Sequence, residues 1–188
     1  MFHERTVTSR CAYRGRILRV DELDVELENG RTAHREIVRH AAAVAVLARR
    51  PDGRFVLVRQ FRKAAERVLL EVVAGGLEPG ETPEACARRE LREETGYGTV
   101  RIAPLGSIFL SPGYCDEVLH LFFAEVEATP AAPEPDDDER LEPVLLEEAE
   151  LQAAAAPGGS IEDSKTLAVW ARYRAGGTGR STGGENGR

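Results

Sequence analysis

Apolar residues set among charged ones, Val25 and Leu27 among them, make residues 16–28 read as extended; the chain reverses at Asn29-Gly30 and returns over 31–40, which predicts two strands joined by a tight hairpin. Ala41 to Ala48 follows as an apolar, strand-like run. After the turn signal Pro51-Asp52-Gly53 comes a further strand, Phe55-Val56-Leu57-Val58-Arg59-Gln60-Phe61. A β-type stretch, Glu71-Val72-Val73-Ala74, meets Gly75-Gly76, where two glycines let the backbone turn tightly. Thr82-Pro83 predicts a helix start, because the threonine oxygen can accept an orphan N–H and proline is pre-set for the first turn. Gly96 stops that helix. Val100 to Leu110 and Val118 to Val126 alternate as strands, and Leu141 to Leu146 is a shorter one. Two helices, about 147–155 and 161–174, close the pattern. In the second, Leu167, Trp170, Ala171 and Arg174 recur at helical spacing, and its apolar members read as core. Strands mixed with helices that need two faces predict an α/β/α sandwich with a mixed sheet, preceded by an N-terminal antiparallel β arm. The expected division is an arm over 1–40, a domain over 41–175 and a disordered tail over 176–188. That tail, GGTGRSTGGENGR, has almost nothing to bury.

Composition narrows the class. A chain of 188 residues with 42% hydrophobic content can bury a full core. No apolar run is long enough to span a bilayer and Met1-Phe2-His3-Glu4-Arg5 has no signal-peptide pattern, so no membrane partner is expected and cytoplasm is the expected compartment. Cys11, Cys86 and Cys115 form no C-x-x-C pair, which points to free thiols rather than a disulfide framework or zinc site. The net charge of −7 argues against a nucleic-acid surface. An acidic protein still binds a diphosphate where metal ions and a few arginines reverse the local sign.

Residues 75 to 97, GGLEPGETPEACARRELREETGY, concentrate the chemistry. At about 100° per residue, Glu94 lies roughly 40° from Glu90 on the helix surface and Glu93 roughly 60° to its other side. Three carboxylates on one arc repel each other, by about 0.2–0.5 kcal/mol per pair. A divalent cation reverses that sign, and Mg²⁺ asks for such oxygen ligands while keeping waters and phosphates in its shell. An isolated Glu-Glu pair on a helix is usually a solvated face. The glycine loop and the capped helix around this one change that reading.

The fixed positions Gly75, Glu81, Arg89-Glu90-Leu91, Glu93-Glu94 and Gly96-Tyr97 match the Nudix box, Gly-x5-Glu-x7-Arg-Glu-U-x-Glu-Glu-x-Gly-U, with Tyr97 where an aliphatic residue is commoner. With each residue type at roughly 7% abundance, seven strict positions coincide by chance on the order of once in a hundred million starts. Flanking segments resemble the ADP-ribose pyrophosphatase branch. They are Arg35-Glu36-Ile37-Val38-Arg39-His40, Arg59-Gln60-Phe61-Arg62, Leu70-Glu71-Val72-Val73-Ala74-Gly75, and Ser111-Pro112-Gly113, whose proline lies sixteen residues beyond Gly96. Asp138-Glu139-Arg140-Leu141-Glu142 is similar to the branch's acidic loop and Asp163-Ser164-Lys165-Thr166 to its last helix. Ala41-Ala42 departs from the Pro-Gly often found there.

The resemblance implies a Nudix-type fold and metal-dependent hydrolysis of ADP-ribose to AMP and ribose 5-phosphate. It implies two or more Mg²⁺ ions, or Mn²⁺, held by Glu90, Glu93, Glu94 and the carbonyl of Ala74, with Arg89 orienting Glu90. Arg62 is carried over as a diphosphate contact. Glu36 and Glu71 are carried over to the nucleoside or ribose ends, and Pro112 and Gly113 to the substrate-binding loop. The same resemblance implies a homodimer paired through the N-terminal strands. Box carboxylates bound to metal are poor proton acceptors, so a separate general base is needed. Within the acidic loop Glu139 is the first choice and Glu142 the next, with Glu93 to test if neither serves. His40 reads as a structural histidine rather than a base, since no carboxylate partner is evident in sequence.

Three other readings stay open: a hydrolase of another nucleoside diphosphate sugar such as GDP-mannose, a non-catalytic Nudix-like nucleotide sensor, and an inert acidic structural protein. The last leaves the box unexplained. A sensor usually has a degraded box or an attached DNA-binding domain; the box here is intact, and no DNA-binding domain is expected.

Overall fold

The computed structural model describes residues 3–133 and 140–177. β1 (Glu4–Arg14), β2 (Leu18–Leu27) and β3 (Thr32–His40) form an antiparallel sheet in that order. The expected hairpin closes β2 onto β3, with Gly30 at φ 76° where a side chain would be strained. β1 is a strand that the hydropathy pattern did not predict. All of its residues are exposed, so it carries no buried face to leave a period of two in the sequence. It is held by its ladder with β2 and by cross-strand pairs, Arg5 with Glu26, Arg10 with Glu22, and Thr8 donating to Asp24 at 2.8 Å.

The chain changes sheet between His40 and β4 (Ala43–Arg49). β5 (Phe55–Arg62), β6 (Arg67–Glu71), β7 (Val73–Gly76), β8 (Thr99–Phe109), β9 (Val118–Val126) and β10 (Leu141–Leu146) complete the second sheet. Its order is β10-β5-β4-β9-β8, with β6 beside β5 and β7 beside β4. β4 runs parallel to β9 and antiparallel to β5 and β7, so the sheet is mixed as expected.

Alternation along the central strands builds the layers. Ala45, Leu47, Phe55 and Leu57 face α2 (Glu148–Ala154) and α3 (Ser164–Arg172), where Leu151, Val169 and Trp170 are buried. Val44, Val46, Val56 and Val58 face α1 (Pro83–Thr95), which buries Cys86, Ala87 and Leu91 against them. Fully burying a leucine such as Leu91 contributes about 1.5–3 kcal/mol. Helices on both faces make the α/β/α sandwich. α3 starts three residues later than the periodicity suggested, because Asp163 caps it by accepting from Thr166 N at 2.9 Å. α3 ends at Arg172 and the chain beyond it breaks at Gly176, φ 98°, so Arg174 lies past α3, its guanidinium 5.5 Å from the Trp170 ring.

Two junctions position the site. Between β6 and β7 the strand changes partner, from Val58 opposite Glu71 to Val46 opposite Val73. Val72 sits at that corner, and its N–H is met by Thr166 Oγ1 of α3 at 2.9 Å. The arm is joined to the loop before β9: Val38 N donates to Tyr114 O at 2.7 Å and Asp116 N to Val38 O at 3.1 Å. Among the described residues no helix is long and apolar enough to cross a membrane. Residues 178–188 of the expected tail lie outside the described residues.

Candidate active site

α1 begins and ends as its residue types dictate. Thr82 Oγ1 accepts from Ala85 N at 3.2 Å, Pro83 opens the first turn, and Gly96 caps the end at φ 74°. A Cβ on Gly96 would overlap the backbone of Ala131, whose N–H donates to Gly96 O at 2.9 Å. The segment leading from β9 toward the acidic loop is thus docked on the end of α1.

Arg89 is the hub of the helix. Its Nε and Nη2 grip Glu81 at 3.0 Å each, Nη1 donates to Glu90 at 2.8 Å and Glu93 at 3.0 Å, and Nη2 reaches Gly76 O at 3.1 Å. The Arg89 fork, followed by the Glu78 N–H, holds the Glu81 carboxyl down from its ordinary 4.5 to about 2. Glu81 is a positioning residue that the sequence reading left without a role. Its signal was present as a box position eight residues before Arg89. Cys86 is buried under the same loop, its Sγ 3.3 Å from Gly76 O, and burial pushes its thiol up to about 12.

Glu90 and Glu94 face the glycine loop. A Cβ on Gly75 would overlap the Glu90 carboxylate, so the loop needs a glycine to admit that side chain. Glu94 is 5% exposed and accepts from Ala74 N at 3.4 Å. Glu93 remains at the surface, clipped by Arg89. α1 and β7 therefore bring Ala74, Arg89, Glu90, Glu93 and Glu94 together. Among the described residues no three His, Cys, Asp or Glu side chains stand close enough to hold an ion alone. The donors are nonetheless all oxygens, and Gly75 leaves the room that one of them, the Glu90 carboxylate, occupies. Such a set fits an ion that keeps waters and substrate oxygens in its shell, as Mg²⁺ does.

Arg62 and Glu71 form a second cluster. Arg62 Nε and Nη2 donate to the Glu71 carboxylate at 2.9 and 2.7 Å, and Lys165 Nζ donates to the same carboxylate. Glu71 is 1% exposed. Burial raises its pKa, but the Arg62 bonds and the Lys165 charge outweigh that and leave it below the ordinary value. Lys165 also reaches Asp163 at 2.9 Å. In sequence, Asp163-Ser164-Lys165-Thr166 stands only as a segment similar to the last helix of the branch. Nothing in its spacing to Glu71 could announce the contact.

The remaining candidates lie elsewhere. Glu36 is exposed on β3, opposite Glu22 of β2. Pro112 and Gly113 are exposed in the turn that Ser111 O closes by accepting from Tyr114 N at 3.1 Å. Glu142 is exposed on β10, 3.3 Å from Arg59. Glu139 lies outside the described residues. His40 does have acidic neighbours, correcting the sequence reading: Nδ1 is 3.4 Å from Glu117 and the backbone N–H donates to Asp116 at 3.0 Å. Both partners arrive from more than seventy residues away, across the sheet junction.

Known proteins resemble this arrangement. The NUDIX domain family model matches residues 38–168. The chain is 43% identical to an ADP-ribose pyrophosphatase of Bacillus subtilis (strain 168) over 149 residues, 78% of this chain and 80% of the relative. It is 45% identical to a methanol dehydrogenase activator of Bacillus methanolicus, covering 66% of this chain and 68% of that one. A GDP-mannose pyrophosphatase of Yersinia enterocolitica is 36% identical, covering 66% and 69%. A crystal structure of an ADP compounds hydrolase superposes with a TM-score of 0.78 at 23% identity over 92% of each chain, a likeness of fold. The chain belongs to the NUDIX domain family and is an enzyme of the Nudix hydrolase type.

Proposed function

We propose that this protein hydrolyses the diphosphate of ADP-ribose to AMP and ribose 5-phosphate, using Mg²⁺ or Mn²⁺. The observation that carries the reading is the Arg89 hub, which ties Glu90 and Glu93 of α1 to the loop at Gly76 while Gly75 leaves room for the Glu90 carboxylate. Glu90, Glu93, Glu94 and the Ala74 carbonyl would hold two or more metal ions. When bound, those ions neutralise the diphosphate oxygens and the charge that develops on the leaving group.

The chain's own groups do the positioning. Arg89 keeps the carboxylates from rotating away through charge-assisted bonds, so little reorganisation remains when substrate arrives. Arg62 contacts the diphosphate. A carboxylate takes the proton of the attacking water, Glu139 of the acidic loop first and Glu142 on β10 next. Glu36, Pro112 and Gly113 remain candidates for the ends of the substrate, whereas Glu71, 1% exposed and bonded to Arg62 and Lys165, acts through Arg62. The arm over residues 1–40 pairs two copies into a homodimer, which light scattering on the eluting gel-filtration peak tests; a monomer at micromolar concentration removes it.

Similarity to the ADP-ribose pyrophosphatase at 43% identity favours ADP-ribose, and that to the GDP-mannose pyrophosphatase at 36% supports GDP-mannose as the second reading. A screen of nucleoside diphosphate derivatives with Mg²⁺ or Mn²⁺, reading phosphate after phosphatase coupling, decides between them. The highest kcat/KM is expected for ADP-ribose. No turnover of any diphosphate with either metal would overturn the enzymatic reading and favour a nucleotide sensor.

A further inference from the structure

Two cations share one buried carboxylate at the corner between β6 and β7, and they differ in freedom. The side chain of Glu71 is 1% exposed, that of Lys165 12% and that of Arg62 38%. Lys165 is held on its other side by Asp163 at 2.9 Å. Asp163 is in turn fixed as the cap of α3, accepting from Thr166 N at 2.9 Å and Thr166 Oγ1 at 2.5 Å. Lys165 therefore belongs to the frame. Arg62 lies at the outer rim, at the end of β5, where its pKa is raised chiefly by Glu71, with Glu94 of α1 a smaller contributor. It is the cation able to leave.

A buried carboxylate stays ionised only while a cation answers it, and removing its last partner is strongly unfavourable. With Lys165 in place, Glu71 keeps one ion pair when Arg62 departs. The guanidinium fork suits a phosphate as well as a carboxylate, so Arg62 can exchange one for the other. We infer that Lys165 is a positioning residue: it holds the charge of Glu71 so that the Arg62 guanidinium can turn from Glu71 onto the substrate diphosphate. The inference rests on the reading of Arg62 as the diphosphate contact.

Steady-state kinetics with ADP-ribose and Mg²⁺ tests it. Lys165→Met keeps the stem and removes the charge, leaving Arg62 as the counter-ion that Glu71 cannot release. KM should rise about tenfold with kcat within about twofold. Adding Glu71→Gln to Lys165→Met removes the charge that locks Arg62, and KM should return to within about threefold of wild type, while Lys165→Arg should preserve it. A purely structural role would instead lower kcat with the folded fraction, leave KM unchanged, and make the double variant no better than the single one. Lys165→Met with unchanged KM, or a double variant whose KM stays high, overturns the inference. Arg62→Ala separates the two levels: if it raises KM about tenfold while Lys165→Met does not, the role of Lys165 alone falls. If Arg62→Ala leaves KM unchanged, both readings fall.

Discussion

Arg89 grips Glu81 with two parallel N–H···O bonds, Nε and Nη2 each 3.0 Å from a carboxylate oxygen eight residues back in the chain. One residue lies in the loop before α1 and the other in the body of the helix, so the fork fastens loop to helix. The carboxylate also accepts from Glu78 N at 3.0 Å, which folds the loop onto the same anchor.

That anchor carries a pH signature. Glu81 has a folded pKa of about 2 against an ordinary 4.5. A depressed carboxylate contributes stability that is present above its unfolded pKa and disappears as pH falls through its folded one. Glu81→Gln should therefore lower Tm by a steady amount from pH 7 down to about 5, with the deficit shrinking below 4.5 and vanishing near 2. Thermal melts of both proteins across that range check it. A deficit that persists at pH 2 would mean that the effect is not electrostatic.

Gly75 and Gly76 should respond differently to alanine. A Cβ on Gly75 overlaps the Glu90 carboxylate, whereas one on Gly76 meets nothing within 4 Å. Displacing a catalytic group by about an ångström costs on the order of a hundredfold. Gly75→Ala should lower kcat by roughly 10–100-fold and Gly76→Ala by only a few-fold. Equal effects of the two changes would remove the close approach of Glu90 as the reason for the glycine.

Glu94→Gln keeps the size of a nearly buried side chain and its capacity to accept from Ala74 N. Turnover should nonetheless fall at least about a hundredfold if its charge supplies some 3 kcal/mol to the transition state. Tm should change little, because the carboxylate repulsion along α1 is relieved at the same time. A variant with near-normal turnover would remove Glu94 from the metal set.

For the general base, Glu139→Gln should cut kcat by roughly 10²–10⁴ and leave metal and substrate affinity close to wild type. A fully active Glu139→Gln with an inactive Glu142→Gln moves the base to β10. If both stay active, Glu93 is tested next, where loss of the bond from Arg89 must be separated from loss of a base.

The local code was legible wherever local physics decides the outcome. Thr82, Pro83 and Gly96 bounded α1 because caps act within one turn of the helix. The apolar runs at β4 and β5 were legible as strands, and the structure sends their successive side chains to opposite, buried faces. β1 was not legible: its residues bury nothing, and its place depends on a ladder with β2.

Partnerships between distant residues were decided by the tertiary structure alone. Periodicity reports which face a side chain takes, but not what stands opposite. Glu71 and Lys165 are 94 residues apart, and they meet because the β6–β7 corner leaves the Val72 N–H without a strand partner and α3 supplies Thr166 to it. Glu117 reaches His40, and Ala131 lies on Gly96, for the same reason. The sequence by itself determined the box helix, its carboxylates and the layered α/β plan, since propensity, capping and spacing act over a few residues. Which cation answers which buried charge was set by packing, because only the closed fold removes the water that would otherwise answer it.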